Sequence, residues 1–457
     1  MEVIEGGRLP IYSWSPDLEE GALRQAVNCA NLPVASHHVA VMADGHQGYG
    51  VPVGAVMALE NAISPYAVGN DIGCGMAMIP TGLDREQVLG PLPPRGGKTG
   101  AVARDEIMRQ IQARIPAGMG VRRSAPASQE VRSLLEDAFD ALEKASGTCG
   151  IPLSTSQSAD PARGKPLSRD ELVTRGQVQA GTLGSGNHFI ELLMGSEDDV
   201  WVMLHSGSRG VGSLICNNFH RMALAHCEQA GHSLADPGLA WLPLAKNENG
   251  DTWERVGACY RRALRAGLDY AERNRRLMLE EVGSIIEERF STTMAWNDTV
   301  NIHHNDATLE EHFGRRVWIH RKGAVKAARG AATITPGSMG TGSYLGRGLG
   351  NPDSFSSCAH GAGRRLSRGR ARDQLSLEEE LERIRAAGGK VFATSPGAVL
   401  DEMPAAYKDL DQVMAAQADL VEAVRRFTPI GTYKGAEKPR KRKRKPKPGG
   451  WRPAEER

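Results

Sequence analysis

Asp71, Cys74, His188, His205, His304 and His360 are side chains able to hold a metal or attack an electrophile, and they are scattered from position 71 to position 360. Every one lies in a short run of small residues: VGNDIGCGM, GSGNHFIE, LHSGSRGVG, NIHHNDA or SCAHGAGRR. Glycine and asparagine allow the tight turns and close backbone approach that present a reactive side chain. Among 13 histidines one such context carries little weight, but five together point to a single converging site. Carboxylate, thiolate and imidazole are the usual ligands of a transition metal, and Asp71 and Cys74 can share an ion from one turn. On ligand softness alone, sulfur and imidazole favour zinc, and metal-dependent hydrolysis is one chemistry open to such a centre.

Rigid elements have to deliver these residues. The apolar runs HHVAVMA, VPVGAVMAL, HFIELL, VWVMLHS and RVWIHR predict buried strands, several of them ending on a motif. Helical periodicity covers 18–30, 129–145, 211–230, 253–290 and 376–387, the fourth with a break at Gly267 or Gly283. Residues 89–100 and 147–164, rich in Pro, Gly or Ser, are expected to loop out, and no internal repeat is present. Because the motif residues must meet, the segments between them cannot be independent domains. The expected fold is α+β, one large complex domain with mixed β-sheets and surrounding helices over residues 1–435.

A chain of 457 residues with 40% hydrophobic content can bury a sizeable core. Its 53 glycines exceed the usual share of about 7% and fit many backbone-lined turns. Seven cysteines, widely spaced and without CxxC pairs, do not make a disulfide framework. The N-terminal segment has no basic-then-apolar signal, and no run of about 18 apolar residues occurs, so a cytoplasmic protein without a membrane partner is expected. From 436 to 457 the chain carries ten Lys or Arg against three Glu, a net +7, which leaves −5 on the remainder given +2 overall. That segment is expected to be a disordered tether for nucleic acid.

The stretches MADGHQGYGVPVGAV, VGNDIGCGM, GTLGSGNHFIEL, LHSGSRGVG, HHNDATLEEHFG, HRKGAVKA, PGSMGTGSYL and SCAHGAGRRLSR resemble the RtcB family of RNA ligases along nearly the whole chain. The resemblance implies an enzyme that joins an RNA end bearing a 2′,3′-cyclic phosphate or 3′-phosphate to a 5′-hydroxyl, using GTP and two manganese(II) ions. It further implies that Asp71, Cys74 and His188 hold one ion, that Cys74, His205 and His304 hold the other, and that His360 becomes guanylylated. By the same resemblance the guanylate contacts are Asn187, His188, Phe189, Ile190, Glu191, His304, Asn305, Pro336, Gly337, Ser338, Met339, Ser343, His360, Gly361, Ala362, Gly363 and Lys434, with Tyr407 stacked on the base. An archease-type activator is a further implied partner, and RNA repair or tRNA splicing the implied setting.

Some residues fall outside that set. Asp44 and His46 in ADGHQGYG match a family motif near the site, but a motif that rich in glycine can simply make a turn, and they are left out of the metal ligands. Arg209, Arg321, Lys322 and Arg364 are candidate anion contacts, Arg209 and Arg364 the better ones because each adjoins a motif. His220, His226, His232, His303, His312 and His320 read as structural. Asp306 departs from the aromatic or aliphatic residue common in the family, and a carboxylate there is expected to tune the metal or repel RNA phosphate. That departure favours one alternative to the ligase, an enzyme that guanylylates or modifies 3′-phosphate ends without sealing; a non-catalytic RNA-binding relative is a further alternative, which the retained His360 argues against.

Overall fold

The computed structural model describes residues 1–91, 102–118, 120–123, 127–156, 163–244, 250–393 and 396–435. The basic segment from 436 onward and most of the expected 89–100 loop lie outside the described residues. So do positions 157–162 of the expected 147–164 loop, whose first residues instead finish a helix, Gln129–Cys149.

Two sheets carry the architecture, and their strands alternate with helices as an α+β fold requires. The first runs in the order Glu2–Ile4, Ile11–Ser13, Ala35–Tyr49, Val51–Leu59, Arg315–Lys322, Asn305–His312, antiparallel except for the parallel pairing of the second and third strands. The second runs Val300–His303, Gly75–Asp84, Asp199–Ser206, Phe189–Gly195, Val421–Lys434, Ser343–Gly348, Ala332–Pro336, with Val391–Ala393 added parallel to the 421–434 strand. All five expected strands are present within these elements.

Alternation along the second sheet decides what faces the site. Ala77, Ile79, Ile190, Leu192, Val202 and Leu204 point to one side, where they pack with Met278, Leu279 and Val282 of the helix Thr252–Phe290. Met76, Met78, Phe189, Leu193, Trp201 and Met203 point to the other, with Ile334 and Phe427. Period-two side chains on a twisted ladder leave no other choice. Truncating a fully buried Ile or Leu in this layer to Ala would cost about 2–5 kcal/mol.

The expected break in the long helix does not occur, and Thr252–Phe290 runs unbroken for 39 residues. A capping box starts it, with Asp251 accepting from the N–H groups of Trp253 and Glu254. Its two suspect glycines are contact points. A Cβ on Gly267 would stand 3.0 Å from Ile72 Cγ2, and one on Gly283 would stand 3.1 Å from the Trp296 ring. Close packing against neighbours explains both better than helix breaking does. The other expected helices appear as Glu20–Ala30, Arg209–Gln229 and Leu377–Ala386, while Ala103–Arg114 and Arg169–Gln179 come in addition.

Candidate metal centre and adjoining cavity

Four chain segments bring the ligand-type residues together. Asp71 and Cys74 occupy the turn between the short helix Pro65–Val68 and the strand Gly75–Asp84, closed by the Cys74 N–H donating to the Asp71 carbonyl at 3.0 Å. Gly73 takes φ +67° there, and a Cβ would meet Ala271 at 2.8 Å, so glycine is required on both counts. His188 precedes the 189–195 strand, His205 lies at the end of the 199–206 strand, and His304 links two strands with its N–H on the Cys74 carbonyl at 2.8 Å.

Their ligand atoms form two triplets that share Cys74: Asp71, Cys74 and His188, and Cys74, His205 and His304, the atoms of each triplet within 4.8 Å of one another. His188 Nε2 is 3.1 Å from Asp71 Oδ2 and 3.5 Å from Cys74 Sγ; His205 Nε2 is 3.2 Å from that sulfur and 3.3 Å from His304 Nε2. Ligands bound about 2.0–2.3 Å from one ion stand roughly 3–3.8 Å apart, so this spacing suits a shared cation. The hydrogen bonding argues the same way. His188 Nδ1–H donates to the Leu183 carbonyl at 3.0 Å and His205 Nδ1–H to the Asn187 carbonyl at 3.2 Å. Each Nε2 therefore points at Asp71 or Cys74 as the free ring nitrogen; a proton on His188 Nε2 bridges it to Asp71, and a cation bound there would take that proton's place.

Ionisation follows from burial. It drives His205 and His304 well below 6.5, helped by neighbouring histidines, so both are neutral at pH 7 and able to serve as ligands. Burial, with the Asp71 charge added, pushes the Cys74 thiol well above 9.0, so cation binding there releases a proton. Burial also opposes ionisation of Asp71, but the His188 hydrogen bond and charge outweigh it and hold the carboxyl below 3.8.

Arg275, fully buried on the long helix, fixes these turns from behind. It donates to the carbonyls of Gly73 at 2.7 Å and Ser206 at 2.9 Å and to Asn301 Oδ1 at 2.7 Å, and it meets His303 Nδ1 at 3.1 Å. Asp71 is held by the Ser208 N–H at 2.9 Å, and a Cβ on Gly207 would strike its carboxylate at 2.3–2.6 Å. Gly207→Ala is accordingly expected to displace Asp71 and weaken ion retention by about 10–100-fold, as changes behind a ligand do. Metal content after dialysis checks it, and retention equal to the unaltered protein would refute it.

Beside the triplets opens a cavity of about 330 Å³, large enough for a small ligand. Asp71, Cys74, His205 and His304 line it together with Phe189, Glu191, Tyr407 and Lys434 and the turns Pro336–Met339 and His360–Gly363. Asn187 and Asn305 line it too. Three of the expected contacts do not: His188 belongs to the ligand cluster and is not part of the lining, and Ile190 and Ser343 lie elsewhere. Ile190 faces the opposite side of its strand, in the apolar layer, because its neighbours Phe189 and Glu191 take the cavity side. Ser343 is buried off the wall with its hydroxyl unpartnered.

His360 Nδ1 lies 2.6 Å from Asp44 Oδ2, a close but bent contact, and its N–H donates to the same oxygen at 3.1 Å. Glu191 accepts from Thr432 Oγ1 at 2.8 Å; burial pushes its carboxyl up to about 7, against Thr432 and Lys434. Glu402, 2% exposed, gathers Arg364 and Arg368 at 3.2 Å each, Lys434 at 3.6 Å and the Tyr407 hydroxyl. Tyr407 is thus tied into the cavity wall.

Other expectations need correction. Asp306 neighbours the site in sequence, yet it is buried on the far side of its strand, where the charges acting on it are Arg321, Glu310 and Lys326. Arg321 is consumed by a buried ion pair with Glu310 at 2.7 Å, and Arg209 by Thr182 and the Gly118 carbonyl. Lys322 does line the cavity, its Nζ donating to the carbonyls of Tyr49 and Val51. Arg275, Arg368 and Glu402 escaped the sequence reading; Asp44 was weighed there as a motif residue near the site and set aside from the metal ligands.

A family model described as tRNA-splicing ligase RtcB matches residues 25–435. The chain is 34% identical over 452 residues to an RNA-splicing ligase RtcB of Escherichia coli K12, spanning 95% of this chain and 99% of that one. It is 33% identical to the RNA-splicing ligase RtcB of Mycobacterium tuberculosis H37Rv over 90% of this chain and 100% of the relative. A tRNA-splicing ligase RtcB of Methanococcus maripaludis is 30% identical, with 92% of each chain covered.

Proposed function

The chain belongs to the RtcB family of RNA ligases, and from that premise we propose that it joins RNA 2′,3′-cyclic phosphate or 3′-phosphate ends to 5′-hydroxyl ends through GMP carried on His360, using GTP and two manganese ions. The observation that carries this reading is the placement of His360. Its Nδ1 lies against the Asp44 carboxylate at 2.6 Å, which leaves Nε2 as the nucleophilic nitrogen, and it lines a cavity that Asp71, Cys74, His205 and His304 line as well.

In the reaction His360 Nε2 attacks the α-phosphorus of GTP, the P–N bond forms and pyrophosphate leaves. The guanylyl group then passes to an RNA 3′-phosphate oxygen, and the 5′-hydroxyl attacks that activated phosphorus with departure of GMP. Cations in the two triplets would supply charge neutralisation at the phosphoryl oxygens, the main source of catalysis in phosphoryl transfer. Glycine backbone at Gly337, Gly361 and Gly363 lets phosphate approach the cavity wall without side chains in the way. Thiolate and imidazole suit zinc at least as well as manganese, so manganese rests on the family. Incubation with GTP, each divalent metal in turn and RNA of defined ends, followed by sizing of the products, tests the function.

Guanine recognition falls to Glu191, whose two oxygens accept from the base N1–H and amino group when ionised. With its carboxyl near 7, protonation on the acid side turns an acceptor into a donor facing a donor. The KM for GTP in adduct formation is expected to rise as pH falls through 7, by roughly tenfold per unit below it. Glu191→Gln should raise KM at high pH and flatten that limb. A KM constant from pH 8 to 6 would remove Glu191 from base recognition. A ligase that activates ends without sealing them was suggested by Asp306 alone, and that carboxylate faces away from the cavity.

A further inference from the structure

The helix Arg209–Gln229 buries a guanidinium that no carboxylate answers. Arg221 is 7% exposed, its Nη2 donates to Asn218 Oδ1, and its Nε and Nη1 have no acceptor among the described residues. Asn218 brings no charge to the pair. Its amide is held by the main chain of Ser154, accepting from the N–H at 2.9 Å and donating to the carbonyl at 3.0 Å.

One helical turn gathers further unpaired groups beside Arg221, because positions i, i+3 and i+4 share a face. Asn217 and His220 are both 0% exposed; Asn217 Nδ2 and both ring nitrogens of His220 have no partner among the described residues. Tyr66, on the short helix Pro65–Val68, is the group they surround. Its ring stacks on His220 with centroids 3.6 Å apart, its hydroxyl donates to Asn217 Oδ1 at 2.7 Å, and the Arg221 charge acts on both rings. Burial, with the Arg221 charge added, pushes His220 down to about 3, and burial holds the Tyr66 phenol above its ordinary 10. Both are neutral at pH 7, so the guanidinium charge stands alone.

The donors decide what fits between them. Arg221 Nε–H and Nη1–H and Asn217 Nδ2–H can only donate, and the neutral His220 ring supplies one further N–H. A water accepts two hydrogen bonds and leaves the buried charge uncompensated, which is costly, whereas an anion accepts from every side and cancels the charge. Side chains so deeply buried suit a monatomic ion over a bulkier oxyanion.

We propose that Arg221, Asn217 and His220 form a buried halide site, with chloride its ordinary occupant, and that the ion clamps the 209–229 helix to the 65–68 helix. The clamp lies behind the metal centre. Ser208, the N-cap of the first helix, donates its N–H to Asp71 at 2.9 Å, and the second helix runs into the turn that carries Asp71.

The test uses the full chain loaded with manganese. Crystals soaked in sodium bromide should show an anomalous peak within hydrogen-bond reach of Arg221 and Asn217. In solution the protein should melt higher in sodium chloride than in sodium gluconate of equal ionic strength, by about 2 °C for a site filled at roughly ten times its dissociation constant. Arg221→Met should lose that difference. Asn217→Asp brings the missing negative charge and keeps the oxygen that accepts from Tyr66, so it should melt in gluconate as high as the unaltered protein does in chloride, with no halide response. Should Arg221→Met fail to fold, the bromide peak and Asn217→Asp decide. A water refined between these side chains with no bromide peak would overturn the site, as would a chloride response that persists in Asn217→Asp. A bromide peak without a chloride response in solution would mean an adventitious ion only, and would overturn it too.

Discussion

His360→Ala abolishes labelling by GTP: the unaltered protein, given manganese and GTP labelled at the α-phosphate, carries a covalent GMP that is released by acid and resists alkali, as a P–N bond dictates, and the variant carries none. Removing a nucleophile forfeits the whole covalent route, an effect on the order of 10⁶ where such residues have been deleted elsewhere. Ligation of 3′-phosphate ends should vanish with the adduct. The geometry adds a second arm. Asp44 touches His360 but no ligand triplet, so Asp44→Asn should slow labelling while leaving metal content unchanged. Equal labelling of His360→Ala, or no labelling of the unaltered protein with any divalent ion, would refute the assignment of the nucleophile.

Cys74→Ala empties both metal positions, because Cys74 is the sole residue common to the two triplets. Asp71→Ala and His304→Ala each belong to one triplet and should reduce stoichiometry by one ion. Metal counting after dialysis reads the difference directly, and the Cys74 variant should have no measurable ligase activity. Binding by this thiol also displaces a proton held by burial and by Asp71, so ion uptake should strengthen with pH. An unchanged ion count in Cys74→Ala would mean that the sulfur is a buried bystander.

The cluster of ligand-type residues was legible because reactive residue types in glycine turns announce themselves, and the strands ending on them because apolar runs do. Asp44 was harder to see. Its partner His360 is 316 residues away along the chain, and no local pattern marks a carboxylate for so distant an imidazole. Arg275 lies in a helix rich in exposed arginines, where burial of one of them is set by tertiary packing alone. Asp306 was misplaced for a reason available in the sequence: if Asn305 faces the site, strand alternation turns residue 306 away. The Val421–Lys434 strand mixes Glu, Arg and Pro into its run, so it shows no apolar signature, yet it pairs on both sides.

That strand has a consequence for synthesis. It sits inside its sheet, between the 189–195 and 343–348 strands, and it follows every other described strand along the chain. During translation those two neighbours must wait with unpaired edges until the 421–434 segment emerges, the 343–348 strand for the last 80 or so residues, roughly 4–16 s at about 5–20 residues per second, and the 189–195 strand about three times as long. Unpaired edges template the wrong partners. A ribosome that stalls late would therefore leave a chain holding all its metal ligands but lacking the strand that supplies Lys434, and such a chain is a candidate for chaperone capture.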